Sequence, residues 1–139
     1  MCGIAGFSFL QPNFKLSKNF LKVKDFLSHR GPDSSGYYEN THLTLVHTRL
    51  SIIDLDGGNQ PIENNNYVLI VNGEIYNDPE IRVENKSYKY LTNSDSESIL
   101  ALYHQYGIEG LKNLRGMFSF AIYDKNTDEL IIGRDEFGI

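Results

Sequence analysis

Residues 117–133 read MFSFAIYDKNTDELIIG and contain two apolar runs separated by a short polar segment. In the first run, residues 117–123, Phe and Ile alternate with Ser, Ala and Tyr, which is the two-residue period of a β-strand. Residues 130–133 form the second apolar run, and the polar residues 124–129 between the two are few enough for a hairpin loop. This stretch therefore predicts two antiparallel strands joined by a hairpin.

Three further segments favour β-structure. Residues 4–10 and 43–49 are apolar or β-favouring, and residues 50–53 read as a short apolar continuation of the second segment. Residues 67–71 (YVLIV) form an uninterrupted run of apolar and β-favouring residues, as expected for a strand buried on both faces. The asparagine run at residues 64–66 predicts a turn before that strand, because Asn tolerates positive φ and bonds its own backbone.

Loops are predicted where Gly, Pro, Asn and Asp accumulate. Residues 30–36 hold two Gly and one Pro, and residues 54–61 (DLDGGNQP) are dense in turn residues. Residues 78–93 are too polar for a firm assignment.

Two helices are predicted from apolar residues at helical spacing. The first covers residues 17–29 with Ser17 as its N-cap, and the second begins with a capping box formed by Ser94 and Glu97 and stops at Gly107. The total of about six strands and two helices, with mostly hairpin-like connections, indicates an α+β layered domain rather than a doubly wound parallel sheet.

Composition excludes several classes of protein. The chain has 139 residues, no Pro/Gly/Ser-rich linker and one cysteine, which fits one domain and excludes a disulfide scaffold. Thirteen basic against 18 acidic residues give a net charge of −5, so neither nucleic acid nor an anionic membrane is expected as a partner. No apolar run approaches the ~20 residues that cross a bilayer and no signal peptide is apparent, so a cytoplasmic protein is expected.

Familiar cofactor motifs do not occur in the sequence. It has no GxxxxGK[ST] loop for ATP, no HExxH and no paired CxxC for zinc, and no GxSxG elbow. The four histidines, at positions 29, 42, 47 and 104, lack the spacing of metal ligands and are expected to be surface or packed residues.

The single cysteine, Cys2, directly follows Met1. It could be a small hydrophobic residue that enters the first strand, since free cysteines are often buried. Alternatively, removal of Met1 would place a thiol and a free α-amine on one residue, and an amine with a reference pKa near 7.7–8.0 can act as base for its own side chain. On position alone the packed cysteine is favoured.

Eight motifs in a fixed order decide between these alternatives. They are CGIAG at 2–6, RGPD at 30–33 with Gly36, HTRLSIID at 47–54, GNQP at 58–61, NGEIYN at 72–77, SDSE at 94–97, GMFSFA at 116–121 and GRDEFG at 133–138. This series, which covers essentially the whole chain, resembles the class II glutamine amidotransferases, a group of N-terminal-nucleophile hydrolases. The RGPD and RLSIID segments are similar to those of the asparagine synthetase branch.

The resemblance implies a fold and a set of site residues. The fold is a four-layer αββα sandwich of two antiparallel sheets between helices, and residues 1–139 form one type-2 glutamine amidotransferase domain. The implied catalytic residues are Cys2 as nucleophile and Asn72 and Gly73 as the oxyanion hole. The implied substrate-binding residues are Arg49 for the α-carboxylate of glutamine, Glu74 and Asp95 for its α-ammonium group, and Leu50, Ser51, Ile52 and Ile53 through their backbone groups, together with Asn72 and Gly73.

The same residues have plainer interpretations when they are taken singly. Asn72-Gly73 is a strong signal for a type I′ hairpin turn. Arg49 could be a surface arginine at a strand end. Asp95 could be an acid that complements the helix dipole in the first turn, and this is compatible with a binding role.

The implied activity is hydrolysis of glutamine to glutamate and ammonia through a thioester on Cys2, without metal or nucleotide. ATP and Mg²⁺ are expected only in an ammonia-accepting synthetase domain or subunit, whose SGGxDS loop is not in this sequence. The chain would then be the amidotransferase part of a longer enzyme, and that enzyme could be a homodimer; the acceptor could be aspartate, a sugar or another carboxylate. A non-catalytic glutamine-sensing or interaction domain is the alternative. The segment between Asn77 and Asn93 is short for the family, which is expected to loosen the pocket wall.

Overall fold

The computed structural model describes residues 1–8 and 22–138. In chain order, the helices and strands are β1 (Gly3–Ser8), α1 (Val23–Leu27), β2 (Ser34–Glu39), β3 (Leu43–Arg49), β4 (Ile62–Glu63), β5 (Tyr67–Ile75), α2 (Asp78–Glu84), α3 (Ser98–Tyr106), β6 (Gly116–Asp124) and β7 (Glu129–Arg134). Two 3₁₀ segments, Asp95–Glu97 and Gly107–Asn113, precede and follow α3.

The strands form two antiparallel sheets. The first has the order β1-β3-β2, and the second has the order β4-β5-β6-β7. The register of the first sheet places Gly3 opposite Thr48, so the start of β1 lies beside the end of β3. In the second sheet, β5 pairs with β6 along its whole length.

The two sheets pack face to face and helices cover their outer sides. Between the sheets lie Leu43 and Leu45 of β3 with Val68 and Ile70 of β5. The other face of β5 packs against α3 in the larger core cluster. On the outer side of the first sheet, the Thr48 hydroxyl donates to the Leu27 carbonyl of α1 at 3.1 Å. The molecule is therefore the predicted αββα sandwich, because side chains alternate between the faces of each strand.

Several predicted elements are confirmed. β3 has the predicted bounds, β6 and β7 form the predicted hairpin, and residues 54–61 form the predicted turn. Gly107 ends α3 with φ of +63°, a conformation that glycine adopts without steric cost. The predicted N-cap Ser17 and the end of the first predicted strand lie outside the described residues.

Other predictions are wrong. Residues 34–36 belong to strand β2 rather than to a loop, and residues 50–53 leave the sheet instead of continuing β3. The alternative interpretation of Asn72-Gly73 as a hairpin turn is excluded, because both residues lie inside β5.

The predicted capping box does not form. Ser94 is the N-cap of the first 3₁₀ segment, but no side-chain capping bond occurs there. The carboxylate of Glu97 instead accepts hydrogen bonds from the backbone N–H groups of Leu91 and Thr92 at 2.8 and 2.7 Å. In the described ranges, 1–8 and 22–138, no helix is long and apolar enough to cross a membrane.

Candidate active site

The predicted site residues converge on one cavity at the ends of β1 and β3, the loop after β3, the middle of β5 and the first 3₁₀ segment. Nine of them line it: Cys2, Arg49, Leu50, Ile52, Ile53, Asn72, Gly73, Glu74 and Asp95. Ser51 is not among the lining residues; its backbone N–H donates to the Asp33 carboxylate at 2.7 Å. The fold thus brings together residues that are up to 93 positions apart in the sequence.

Cys2 is fixed from two directions. Its thiol sulfur lies 3.4 Å from the backbone nitrogen of Leu50, which donates to it, and 3.7 Å from the Leu50 carbonyl. The Cys2 carbonyl accepts a hydrogen bond from Arg30 Nε at 3.1 Å. The thiol therefore lies against the start of the loop that follows β3.

The edge of β5 offers a backbone donor to the cavity. The N–H of Val71 donates to Gln60 Oε1 and the N–H of Ile75 donates to Asp95 Oδ2, each at 2.6 Å. Amide directions alternate along a strand, so the N–H of Gly73 points the same way, from the part of the edge that β4 does not cover. Gly73 is exposed and lines the cavity, so this donor can serve a ligand.

Only glycine fits at position 73. Its φ of +149° lies in a region that L side chains rarely adopt. A Cβ atom there would also overlap the carbonyl oxygen of Met117 on β6. The neighbouring Asn72 also lines the cavity, and its Oδ1 is buried without a hydrogen-bond partner among the described residues.

The guanidinium group of Arg49 is buried and engaged by the loop after β3. Nη1 donates to Leu55 O at 3.3 Å and to Asn59 Oδ1 at 3.1 Å. Nη2 donates to Ile53 O at 3.0 Å and to Asp54 O at 2.6 Å. The four terminal N–H groups of an arginine are thereby used. Arg49 brings positive charge to the cavity, and it also sets the shape of the loop.

Asp95 and Glu74 supply negative charge to the cavity. Asp95 is only 7% exposed, and burial raises the pKa of its carboxyl group. Hydrogen bonds from the N–H groups of Ile75 and Ser96 act in the opposite direction, while the charges of Asp78 and Glu74 raise the pKa further. A cationic ligand group between Asp95 and Glu74 would relieve this repulsion.

His47 is buried between the sheets beneath the cavity. Its Nε2 donates to the Val71 carbonyl at 3.0 Å, since a carbonyl can only accept, and Nδ1 has no partner among the described residues. Burial lowers the pKa of His47 to about 4; the Arg49 charge adds to this effect, and the bond to Val71 opposes it. His47 is therefore a neutral packed histidine that ties β3 to β5.

Three residues received no role from the sequence and have one in the structure. Arg30 holds the Cys2 backbone, Asp33 holds the backbone of the loop at Ser51, and Gln60 occupies the Val71 N–H. Arg30 and Asp33 belong to the motif RGPD, and Gln60 belongs to the motif GNQP. Their place in these motifs was the signal in the sequence that could have indicated a role for them.

Comparison with known proteins identifies the family of the chain. The family described as the glutamine amidotransferase domain matches residues 1–139. Asparagine synthetase B [glutamine-hydrolyzing] of Escherichia coli (strain K12) is 46% identical over the whole chain, which spans 26% of that relative. Asparagine synthetase [glutamine-hydrolyzing] 1 of Bacillus subtilis (strain 168) is 42% identical over the whole chain, which spans 23% of it.

A further relative carries a different name. Amidase chry2 of Gibberella zeae is 42% identical over 83% of the chain and 18% of its own length. The chain thus spans about a quarter or less of the curated relatives named here. Because the family match extends over every residue and two relatives align over the full chain, the chain belongs to the glutamine amidotransferase domain family.

Proposed function

We propose that this chain hydrolyses the side-chain amide of L-glutamine to give glutamate and ammonia, with Cys2 as the nucleophile. The observation that carries the proposal is the convergence of the Cys2 thiol, the Gly73 N–H and the Asn72 side chain on one cavity. A thiol beside two donors that can hold an oxyanion is the arrangement that acyl transfer requires.

The reaction needs a base for the thiol, and the Cys2 α-amine can supply it once Met1 has been removed. While Met1 is attached, the Cys2 nitrogen is an amide and cannot take a proton. With a free amine, the thiolate attacks the amide carbon, and the N–H of Gly73 and the Asn72 amide stabilise the oxyanion. The protonated amine gives its proton to the leaving nitrogen, ammonia departs, and water hydrolyses the thioester.

The charges around the cavity match those of a free amino acid. Asp95, Glu74 and Arg49 line the cavity. The two carboxylates are proposed to bind the α-ammonium group, and Arg49 is proposed as the cation for the α-carboxylate. The terminal nitrogens of Arg49 are held by the loop, and the N–H groups of Leu50 and Ser51 donate to Cys2 Sγ and Asp33. The backbone N–H groups of Ile52 and Ile53, which line the cavity, are therefore proposed to complete the carboxylate site. This arrangement rejects amides that lack the zwitterion.

The released ammonia is proposed to pass to an acceptor activated by a synthetase domain or subunit, where ATP and Mg²⁺ would act. The names of the asparagine synthetase relatives support aspartate as the acceptor. The hydrolytic step itself is proposed to need neither metal nor nucleotide. A cytoplasmic location and a homodimer of the full-length enzyme belong to the same proposal.

Ammonia release and N-terminal mass test the proposal together. Protein whose mass shows that Met1 is absent should release ammonia from glutamine, and protein that retains Met1 should not. Cys2→Ala should abolish release while the thermal unfolding curve remains that of the wild type, because one small, half-buried side chain is lost.

Diazo-oxo-norleucine, a glutamine-like electrophile, separates an enzyme from a glutamine-sensing module. It should label Cys2 in the processed wild-type protein and should leave Cys2→Ala unlabelled. Glutamine binding without labelling and without ammonia release would favour the non-catalytic module and refute the proposed function.

A further inference from the structure

The segment that leads into Asp95 is held by side chains from three directions. On one side, Arg82 of α2 donates from Nη1 to the Thr92 carbonyl at 3.3 Å and from Nη2 to the Ser94 carbonyl at 2.7 Å. These carbonyls lie on either side of Asn93, so a single guanidinium group spans the segment just before Asp95.

Arg82 is itself held in place. Its Nε forms an ion pair with Asp78 Oδ1 at 2.8 Å, and its guanidinium carbon lies 4.1 Å from the centre of the Tyr90 ring. Asp78 Oδ1 also accepts a hydrogen bond from the Ser98 hydroxyl at 2.6 Å. This network links α2, the segment before Asp95 and α3. The Arg82 and Asp78 side chains are only 25% and 16% exposed, so these hydrogen bonds are shielded from bulk solvent.

The other two directions are covered by carboxylates. Glu97 is fully buried and accepts hydrogen bonds from the backbone N–H groups of Leu91 and Thr92. Asp54, on the loop after β3, accepts from the N–H of Asn93 at 2.9 Å. Carboxylates bind the N–H groups of the segment and Arg82 binds its carbonyls, so the backbone path into Asp95 is set by charged side chains.

We propose that Arg82 is a positioning residue that sets the selectivity of the cavity for the α-ammonium group of its substrate. This inference rests on the proposed function, since it assigns that group to Asp95. Arg82 braces the part of the pocket wall that carries Asp95.

Removal of the guanidinium group has a defined consequence. The carbonyls of Thr92 and Ser94 lose their donors, and Asp78 loses its ion-pair partner. Asp95 then keeps its bond to Ile75, but the backbone that carries it is less constrained. Asn72 and Gly73 lie on β5 and Cys2 directly precedes β1, so the hydrolytic groups keep their places.

Two substrates separate these effects. Glutaramate is glutamine without the α-amino group, so it cannot use Asp95. In the processed wild-type chain, kcat/KM for glutamine should exceed that for glutaramate by at least ~10-fold, because glutaramate leaves the Asp95 carboxylate without a charged partner. Arg82→Gln should reduce this ratio by about tenfold, equivalent to about 1.4 kcal/mol, through a higher KM for glutamine. Its kcat/KM for glutaramate should stay near the wild-type value.

Arg115→Gln is the matched control. The Arg115 side chain is 71% exposed and its contact with Glu80 is long, at 3.5 Å, so the ratio should not change. Arg82→Lys keeps the charge near Asp78 but cannot reach both carbonyls, and it should give an intermediate ratio. This second variant keeps the inference testable if Arg82→Gln does not fold, which thermal unfolding will show.

Unchanged selectivity in a folded Arg82 variant would overturn the inference. An equal loss of activity on both substrates would overturn it as well, because a purely structural role predicts that result. Wild-type protein that hydrolyses neither substrate would refute the proposed function together with this inference. Wild-type protein that hydrolyses glutamine with the expected selectivity, but whose Arg82 variants retain that selectivity, would refute the role of Arg82 alone.

Discussion

Two walls of the same cavity are built in different ways. The β5 wall is part of a nine-residue strand that pairs along its full length with β6, and Val71 and Ile75 are only 1% and 2% exposed. The wall formed by residues 50–58 pairs with no strand in the described part of the chain, and its Ile52 and Leu55 are 71% and 67% exposed. The first wall is fixed by backbone pairing and burial, and the second by a few side-chain contacts.

The difference assigns different tasks to the two walls. An oxyanion hole must be in place before charge develops, and the donors proposed for it are on the strand. Recognition of the α-carboxylate tolerates adjustment, and it is assigned to the loop and to Arg49. Segments with few buried apolar contacts open more easily than strands in a core. Changes at Asn72 and Gly73 in the β5 wall should therefore affect kcat, and changes in the loop wall should affect KM.

The largest effect is expected from Asn72→Ala on the β5 wall. Loss of one oxyanion donor should lower kcat by ~10²–10³ and leave KM for glutamine nearly unchanged, because the donor acts mainly once the oxyanion has formed. Steady-state ammonia release checks this. Asn65→Ala, in the exposed turn before β5, is the control and should behave as the wild type.

A smaller effect is expected from Arg49→Lys on the loop wall. Lysine keeps the charge but cannot reach the four acceptors that Arg49 binds, so the loop loses its shape. KM for glutamine should rise by roughly tenfold, about 1.4 kcal/mol, with a smaller change in kcat. If Arg49→Lys spared KM while Asn72→Ala raised it, the tasks of the two walls would have to be exchanged.

The sequence predicts the β5 wall better than the loop wall, for a physical reason. The apolar residues 67–71 identify a buried strand from their own composition. The shape of residues 50–58 depends on Arg49 bonding three carbonyls and on Asp54 at φ of +52°, and neither follows from a local pattern.

The elements that the sequence did not predict also depend on contacts that no local pattern shows. β2 exposes four of its six residues, and it is a strand because it pairs with β3 rather than because of its own pattern. α2 buries only Ile81, so no apolar face marked it in the sequence. The motif Ser94–Glu97 matches a capping box, but Glu97 bonds the segment before it, which no local rule predicts.

The smallest effect expected is a pH dependence of the free energy of unfolding, which arises from His47 where β3 contacts β5. His47 binds the Val71 carbonyl, and its pKa of about 4 lies below the ordinary value of 6.5. Between these two values the unfolded chain binds a proton at His47 and the folded chain does not, so stability falls as the pH falls. The contribution is fully present above pH 6.5. From pH 7.5 to 5.5 the free energy of unfolding should decrease by about 1.3 kcal/mol on this account.

Replacement of His47 isolates this contribution from that of the carboxylates. Glutamine at position 47 can still donate to Val71 but does not titrate, so His47→Gln should lose about 1.3 kcal/mol of the difference in unfolding free energy between pH 7.5 and 5.5. The exposed His29, replaced in the same way, should leave the wild-type difference intact. Denaturant unfolding at the two pH values measures both variants. An unchanged pH dependence in His47→Gln would mean that water or a nearby group accepts the Nδ1 proton at little cost. The contact between β3 and β5 would then tolerate a charge on His47, and water would reach the β5 wall more easily than its burial indicates.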